Sequence, residues 1–401
     1  MKRLCFLATV LSIGVAARVW GAGYAIDVQS GRATGMATAV TAFIDSAEAA
    51  YFNPAGLAQG RMLDLRVGLT PIVPAFKFDS ANSGQTTDGI VRVTPPPHIY
   101  ALYGITDQFS VGLGVFSPYG LVVPWPSNWE GNYLSIYSNL KTFYINPEVA
   151  YRVTDQIRIG AGVQIVRSTV ELKQAIRLPG GDLGQVHLSG GTWGVGYNAG
   201  IQIDIIQNVL SFGGTWRSTV NSDITGRAHF SSIPPGLQST LKDQNASTHL
   251  TLPGQFALGV AVQALPALKI SFETDYIGWQ VFQRLGVNFE DPTLNTVSPK
   301  NWTHTWNYHL GAEWAVNSNW RLRGGVMYDP TPSPQDTISP ELPDANRVNI
   351  ALGAGFQWDK FAIDAGYQLV VITNAKTTYP PLPGSYSGVA NLLSVTFGFH
   401  L

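Results

Sequence analysis

The sequence predicts an all-β protein, a 14-stranded antiparallel transmembrane β-barrel with an N-terminal hatch (plug) in its lumen. Three observations support this prediction. Only 13% of the 401 residues are charged, against about 25% in ordinary soluble proteins. After residue 61, apolar and polar side chains alternate with a period of two, as expected for strands with two different faces. The connections between these segments alternate between short and long, which is typical of bacterial outer-membrane barrels.

The first 21 residues are predicted to be a secretory signal peptide. Lys2 and Arg3 form a basic start, and the apolar run from Leu4 to Ala17 follows. This run is too short to span a bilayer as a helix, which needs about 20 residues. Cleavage at the end of the segment would remove Cys5, the only cysteine, so the mature chain is expected to contain no disulfide.

The alternation is clearest in residues 193–205, where large apolar side chains occupy one phase and small or polar ones the other. An Arg or Lys that faces lipid at mid-membrane costs about 2–4 kcal/mol. We therefore expect the phase that carries the charges to face the lumen. Its members are Asp64, Arg66, Glu148, Arg152, Arg158, Asp204, Arg217, Glu273, Asp275, Glu313, Arg321, Arg323 and Asp364.

The connections set the strand number. Six short turns and seven longer loops make 13 connections and therefore 14 strands, with both ends of the barrel on the short-turn, periplasmic side. The short turns are expected near 106–107, 154–155, 207–208, 265–266, 317–319 and 359–360. The longer loops are expected near 79–96, 117–140, 177–191, 231–247, 286–302, 329–346 and 372–388.

Residues 22–60 do not follow the alternation and are rich in Gly, Ala, Ser and Thr. A barrel of about eight strands is the size that its own side chains fill, so a wider one needs something else inside. We therefore predict a plug formed by residues 22–60 and a barrel formed by residues 61–401. A short helix is expected from Asp45 to Phe52, because Pro54 disfavours helical backbone at Asn53.

Several functional classes find no support in the sequence. The net charge of -1 and the absence of a Lys/Arg-rich block argue against a nucleic-acid partner. The seven His residues show no metal-ligand spacing, so neither a metal nor another cofactor is expected. His309 and Glu313 share the lumen-facing phase and are interpreted as structural, which leaves no catalytic residue and argues against an enzyme.

Several segments, in this order, resemble the FadL/TodX family of outer-membrane transporters for long-chain fatty acids and other hydrophobic compounds. They are AGYAIDVQSGRATGMATAV, FNPAGLA, NPEVAYRVTDQIRIGAGVQ, GDLGQVHLSGGTWGVGYNAGI and ELPDANRVNIALGAGFQW. The resemblance implies passive uptake by capture at extracellular loops, transfer to a lumen pocket and release through a hatch rearrangement, sideways through a gap in the wall. Long-chain fatty acids are the expected ligand and toluene-type hydrocarbons the alternative. A lipid hydrolase, a general porin or an adhesin are the competing classes.

The same resemblance implies a location in the outer membrane, among its lipids and lipopolysaccharide, and we expect a monomer. The last strand, NLLSVTFGFHL, alternates and is rich in aromatic residues. It resembles the signal read by the barrel assembly machinery, although it ends in Leu401 and not in the more usual Phe.

The resemblance also provides candidate site residues. Asn53, Pro54, Ala55 and Gly56 match the hatch motif and are expected to position the plug; the alternative is a simple helix stop and turn. Ala22, Gly23 and Tyr24 match the mature N-terminus, which in the family lies near the lumen ligand.

Four arginines, Arg152, Arg158, Arg217 and Arg347, are candidates to bind a carboxylate head group, since Arg pairs with carboxylate through two parallel hydrogen bonds. The alternative is a structural network with Glu148, Asp204 or Asp344.

Two further features lie between residues 117 and 140. Pro118 and Gly120 break the third strand and form the candidate kink for lateral release. An apolar cluster in the following loop is a candidate capture groove, because a solvated loop rarely carries so many aromatic side chains. Its members are Pro124, Trp125, Pro126, Trp129 and Tyr133.

Overall fold

The computed structural model describes residues 23–177, 183–372 and 375–401. The predicted signal peptide, residues 1–21, and Ala22 lie outside the described residues. Over the described part of the chain, no helix combines the length and the apolar character needed to cross a bilayer.

The predicted 14-stranded antiparallel barrel is confirmed. The last strand pairs with the first, with Leu65 opposite Phe399, and this pairing closes the sheet. The strands are β1 (Leu63–Leu69 and Ile72–Ser80), β2 (Pro97–Gly104), β3 (Phe109–Phe116 and Gly120–Pro124), β4 (Tyr137–Arg152), β5 (Ile157–Arg177), β6 (Leu183–Ile206), β7 (Leu210–Arg217 and Val220–Ser231), β8 (Gln244–Leu252 and Gln255–Leu265), β9 (Leu268–Ile277 and Arg284–Phe289), β10 (Thr296–Pro299 and Thr305–Ala315), β11 (Trp320–Asp329), β12 (Arg347–Trp358), β13 (Phe361–Ile372 and Ala375–Thr377) and β14 (Gly384–His400).

The two phases of the alternation face the predicted directions. Large apolar side chains such as Trp193, Leu310 and Leu352 are exposed on the outer face of the barrel, whereas Asp64, Glu273 and other charged side chains are buried in its interior. A continuous apolar outer face is what contact with lipid requires.

One of the predicted loops is much shorter than expected. β5 and β6 extend to Arg177 and from Leu183, so most of the predicted loop 177–191 is strand. The Gly and Ser residues of this region pair in a regular ladder, with Thr169 opposite Gly191 and Glu171 opposite Ser189. The composition indicated a loop because these strands continue beyond the apolar belt, where polar side chains are tolerated on both faces.

Residues 23–60 lie inside the barrel and are almost entirely buried; we call them the plug segment. Its elements are the helices Gly31–Thr34 and Ala49–Phe52 and the 3-10 helix Pro54–Leu57. The second helix is shorter than the predicted Asp45–Phe52, because Asp45 to Ala47 turn to reach the wall, where the Ala47 N–H donates to Asp64 at 2.8 Å.

Candidate functional site

An apolar cavity of about 440 Å³ separates one side of the plug segment from the barrel wall. The plug contributes Gly23 and the residues from Ala25 to Val28 but not Tyr24, and the wall contributes mainly apolar side chains from β1, β3, β4, β13 and β14. Polar groups occur at a few positions, among them Asp27, Arg347 and Gln368. An apolar space with few polar groups is the usual form of a small-molecule site.

The barrel wall is interrupted beside this cavity. The ladder between β2 and β3 ends at the pair Ile99 and Val115. Beyond it, the plug segment takes the place of the neighbouring strand: Ile26 N–H donates to Pro118 O at 2.8 Å, and Gly120 N–H donates to Tyr24 O at 2.9 Å. On the opposite side, Pro95 to Pro97 line the cavity, and proline has no N–H with which to continue a ladder.

The cavity therefore reaches from the lumen to the outer face of the wall. Its lining includes Leu140 and Thr142, which are buried, and also Lys141 and Phe143, which belong to the exposed phase of β4. Phe143 is in register with Arg167 of β5, which is in register with Trp193 of β6. An aromatic belt marks the membrane interface, so the opening lies near the outer-leaflet interface.

The hatch motif connects the plug segment to the wall. Asn53 Nδ2 donates to Thr41 O at 2.9 Å and to Ile201 O of β6 at 3.0 Å, while Asn53 Oδ1 accepts from Ala55 N–H at 3.2 Å. Pro54 is the first residue of the 3-10 helix, where its missing N–H costs nothing.

Glycines in the plug segment and in the barrel wall allow the two backbones to approach closely at this turn. A side chain at Gly160 or Gly200 of the wall would collide with Pro54 or Asn53, and one at Gly56 would collide with Ile44 O. The turn thus holds two parts of the plug and one wall strand together, which is more than a helix stop requires.

Of the four candidate arginines, only Arg347 lines the cavity. Its Nε lies 3.3 Å from Asp329 Oδ2. The other three bind elsewhere in the lumen. Arg217 donates to Tyr51 O at 3.0 Å, Arg158 pairs with Asp204 at 2.8 Å, and Arg152 donates to Ala58 O at 3.3 Å.

Tyr24 lies in a buried aromatic cluster at the extracellular end of the plug. Its ring centroid is 4.7 Å from Trp279, 5.7 Å from Phe282, 5.8 Å from Trp302 and 5.9 Å from Tyr119. Trp279 lies in a 3-10 turn, Trp279–Val281, that interrupts β9 and folds inward. This inward turn, which we call the cap, is not predicted from the sequence, although the break in alternation at GWQVFQ indicates where it lies.

The two tryptophans of the candidate capture groove are buried in a loop core and do not form an open apolar surface. Trp125 and Trp129 are 1% and 4% exposed, and their rings stack at 4.3 Å in a loop core that also contains Phe76 and Phe78. Trp125 donates to Pro340 O at 3.1 Å, and the Tyr133 hydroxyl donates to Pro381 O at 2.7 Å. The aromatic side chains hold three loops together because apolar loop residues bury one another when they can, which a linear pattern does not reveal.

On the side away from the cavity, charged groups connect the plug segment to the barrel wall. Arg32 lies 2.6 Å from Asp45 and 3.5 Å from Glu313, Glu313 lies 2.7 Å from Arg323, and Arg323 lies 2.6 Å from Asp364. Partial burial opposes ionisation of Asp45, whose side chain is 52% exposed, but Arg32 outweighs it and lowers the pKa of the carboxyl. The placement of Glu313 agrees with its expected structural role.

His309 lies at the most strained backbone of the plug. Its Nδ1 is 2.8 Å from Ala37 O and 3.0 Å from the Thr38 hydroxyl. Ala37 and Thr38 have φ values of 49° and 65°, a region that non-glycine residues seldom adopt. Among the described residues, no group of three or more His, Cys, Asp or Glu has the geometry to hold a metal ion.

Comparison with known proteins agrees with the fold. Residues 12–400 match the family model of the outer membrane protein transport proteins (OMPP1/FadL/TodX). The chain is 24% identical to the long-chain fatty acid transport protein of Escherichia coli O6:H1, over 99% of both chains. It is also 24% identical to outer membrane protein P1 of Haemophilus influenzae, over 68% of this chain and 64% of that protein.

Two solved structures have the same fold. A Pseudomonas aeruginosa FadL homologue superposes with a TM-score of 0.84 at 20% identity, over 94% of this chain and 99% of that chain. The P. putida toluene transporter TodX superposes with a TM-score of 0.76 at 16% identity, over 95% and 99%. With a family match along nearly its whole length, this chain belongs to the OMPP1/FadL/TodX family of outer-membrane transport proteins.

Proposed function

We propose that the protein carries hydrophobic compounds passively across the outer membrane, with long-chain fatty acids as the leading ligand class. The observation that carries the proposal is the apolar cavity that joins the lumen to the outer face of the wall at the break in β3. A water-filled pore would not bind such compounds. An apolar cavity gains about 25 cal/mol for each Å² of ligand surface removed from water.

The proposed route ends sideways in the membrane. A ligand captured among the extracellular loops enters the cavity, and the opening between Pro118 and Phe143 releases it toward the outer leaflet. The loop core around Trp125 and Trp129 supports the entrance in this proposal, and its opening is what would admit the ligand.

The plug segment acts as the hatch in this scheme. Residues 1–21 direct export and are removed, residues 22–60 form the hatch, and residues 61–401 form the barrel. Asn53 and Pro54 keep the hatch in register with β6, so that its movement is confined to the side that borders the cavity.

Toluene-type aromatic hydrocarbons are the second candidate ligand class. Arg347, the arginine that lines the cavity, already pairs with Asp329, and an uncharged hydrocarbon needs no cation. The P. putida toluene transporter TodX has the same fold.

The remaining parts of the proposal concern chemistry and partners. We propose that the protein has no catalytic activity, that it works as a monomer, and that the barrel assembly machinery inserts it among outer-membrane lipids and lipopolysaccharide. Release of fatty acids from phospholipid vesicles by the pure protein would favour a lipid hydrolase, and rapid sugar flux in liposome swelling would favour a general porin.

The test compares two glycines. A side chain at Gly120 would meet Ile26 Cδ1 at 2.9 Å in the cavity, whereas at Gly324 its nearest atoms are 3.9 Å away. We expect Gly120→Phe to reduce oleate and toluene uptake at least tenfold in cells that lack their own transporters, while Gly324→Phe leaves uptake unchanged. Full uptake by a properly inserted Gly120→Phe protein would contradict the proposed route.

A further inference from the structure

We infer that the cavity holds its ligand by a head group that donates a hydrogen bond, so that a fatty acid occupies it as the uncharged acid and not as the carboxylate anion. The inference rests on the transport function proposed above. It concerns the polar groups of the same cavity.

The cavity offers little to an anion. Among its described lining residues, Arg347 is the one cation that projects from the interior phase of the wall, since Lys141 belongs to the exposed phase. Arg347 lies 3.3 Å from Asp329. Asp344 is also close enough to interact electrostatically with Arg347. Because a buried cation that already has a carboxylate partner is neutralised, it attracts a second carboxylate weakly.

Acceptors that can take a further donor are present instead. Among the described residues Asp27 forms no ion pair, and its carboxylate accepts a long hydrogen bond from the Thr38 hydroxyl at 3.4 Å. Gln368 is 1% exposed, and its Oε1 has no donor among the described protein groups. Both residues line the cavity, and a buried acceptor without a donor is unfavourable. A ligand hydroxyl or carboxylic acid would supply that donor.

The wider surroundings are acidic. Asp27 also borders a second, polar space of about 50 Å³, which Glu273, Asp275 and Arg217 line. Carboxylates outnumber cations around Asp27, so an added negative charge is disfavoured there. The charged and titratable groups that face it are Asp275, Glu273, Asp329, Asp344, Arg217, Arg347, His309 and Tyr51.

The other end of the cavity has the opposite character. Lys141 is exposed at the opening in the wall, where water and lipid head groups solvate charge. An ionised head group is therefore favoured outside the wall and an uncharged one inside it.

The experiment compares two ligands with the same chain length, dodecanoic acid and dodecan-1-ol. Both are radiolabelled and bound to the full-length mature protein in lipid nanodiscs, with empty nanodiscs subtracted, from about pH 5 to about pH 9. We expect the affinity for dodecan-1-ol to stay constant. The affinity for dodecanoic acid should fall about tenfold per pH unit once the acid is ionised in solution, because only the protonated form binds.

Two variants locate the acceptors. Asp27→Leu and, independently, Gln368→Met should each lower the affinity for dodecan-1-ol about fivefold or more, since each removes an acceptor. Asp88→Leu, which makes the same change at an exposed carboxylate of the short strand Thr86–Asp88 in the loop between β1 and β2, should have no effect. Retention of the unboiled, fast-migrating band on gels checks that each variant is folded.

The outcomes separate the two proposals. Dodecanoate that binds equally well or better at high pH would overturn the head-group inference and leave the transport function intact. Unchanged dodecan-1-ol binding by both folded variants would also overturn it. Failure of both ligands to bind at any pH would overturn the transport function and the inference with it.

Discussion

The two sides of the plug segment meet the barrel wall in different ways. Toward β7 and β10 to β13, the backbone of the plug touches wall glycines: Gly213 approaches Thr41, Gly325 approaches Met36, and Gly353 approaches Gly35. Toward β1, β3 and β4, the plug leaves the 440 Å³ cavity. The plug is therefore packed closely against the wall on one side, which we call the anchored side. On the other side a few hydrogen bonds, such as Ile26 N–H to Pro118 O, join it to the wall, and the space between them remains available to a ligand.

The largest expected effect comes from breaking the anchored side at Arg323. Its side chain is buried between Glu313 and Asp364. Arg323→Ala would remove the shorter ion pair of each carboxylate and leave only the longer ones, from Arg32 to Glu313 at 3.5 Å and from Arg66 to Asp364 at 3.6 Å. We expect a loss of about 3–5 kcal/mol in folding free energy, measured by urea titration in lipid vesicles. Arg61→Ala is the control, because Arg61 is 71% exposed beside Asp107 and such pairs contribute about 0–1 kcal/mol. Equal losses in the two variants would contradict the comparison.

The second prediction concerns the glycine contacts. A side chain at Gly325 would meet the Met36 backbone at 2.6 Å, whereas its neighbour Gly324 has its nearest atoms at 3.9 Å. Gly325→Val should displace the plug, at a cost of about 1–3 kcal/mol, and raise sugar leakage severalfold in liposome swelling. Gly324→Val should leave leakage at the wild-type rate. Wild-type leakage in both would mean that the glycines do not seat the plug.

The third prediction sharpens the role of the hatch motif. Replacing Asn53 and Pro54 with Ala removes the bonds to Thr41 O and Ile201 O, each of which contributes about 1 kcal/mol. The plug should loosen and oleate uptake should change while the barrel remains assembled and heat-modifiable. Unchanged uptake would reduce the motif to a turn.

The smallest expected effect is a pH dependence of the loop beside the cavity. Burial raises the pKa of Asp344 from 3.8 to about 7, although Arg347 opposes the rise. Because the folded loop holds a proton that the unfolded loop has released, stability should fall as the pH rises from about 4 to about 7 and then level off. Protease resistance of the loop should follow this curve, and Asp344→Asn should flatten it. Asp336→Asn, which changes an exposed side chain of the same loop, should keep the wild-type curve.

Much of the barrel could be predicted because lipid imposes a regular pattern. Alternation placed Trp193 outside and Glu273 inside, and the lengths of the connections gave the strand number. The prediction of a loop at 177–191 is wrong for most of that range, because β5 and β6 continue beyond the apolar belt, where lipid no longer imposes the alternation.

The candidate site was less predictable. The break at Pro118 and Gly120 could be read from local chemistry, since proline and glycine act on their own backbone. The cap formed by Trp279 and the burial of Trp125 depend on contacts between distant loops, which leave little trace in a linear sequence. The sequence pattern does not distinguish the four candidate arginines, but in the structure each one contacts a different group.

The sequence by itself determined the barrel, its orientation, its strand number and the presence of a segment with too little bulk to fold alone. These properties follow from the period of two and from composition, because each residue meets either lipid or lumen. Only the tertiary structure decided which side of the plug is anchored, where the cavity lies and which of the four arginines reaches it. Those properties depend on which side chains of distant strands come within a few ångströms of one another, which is fixed only when the barrel closes around the plug.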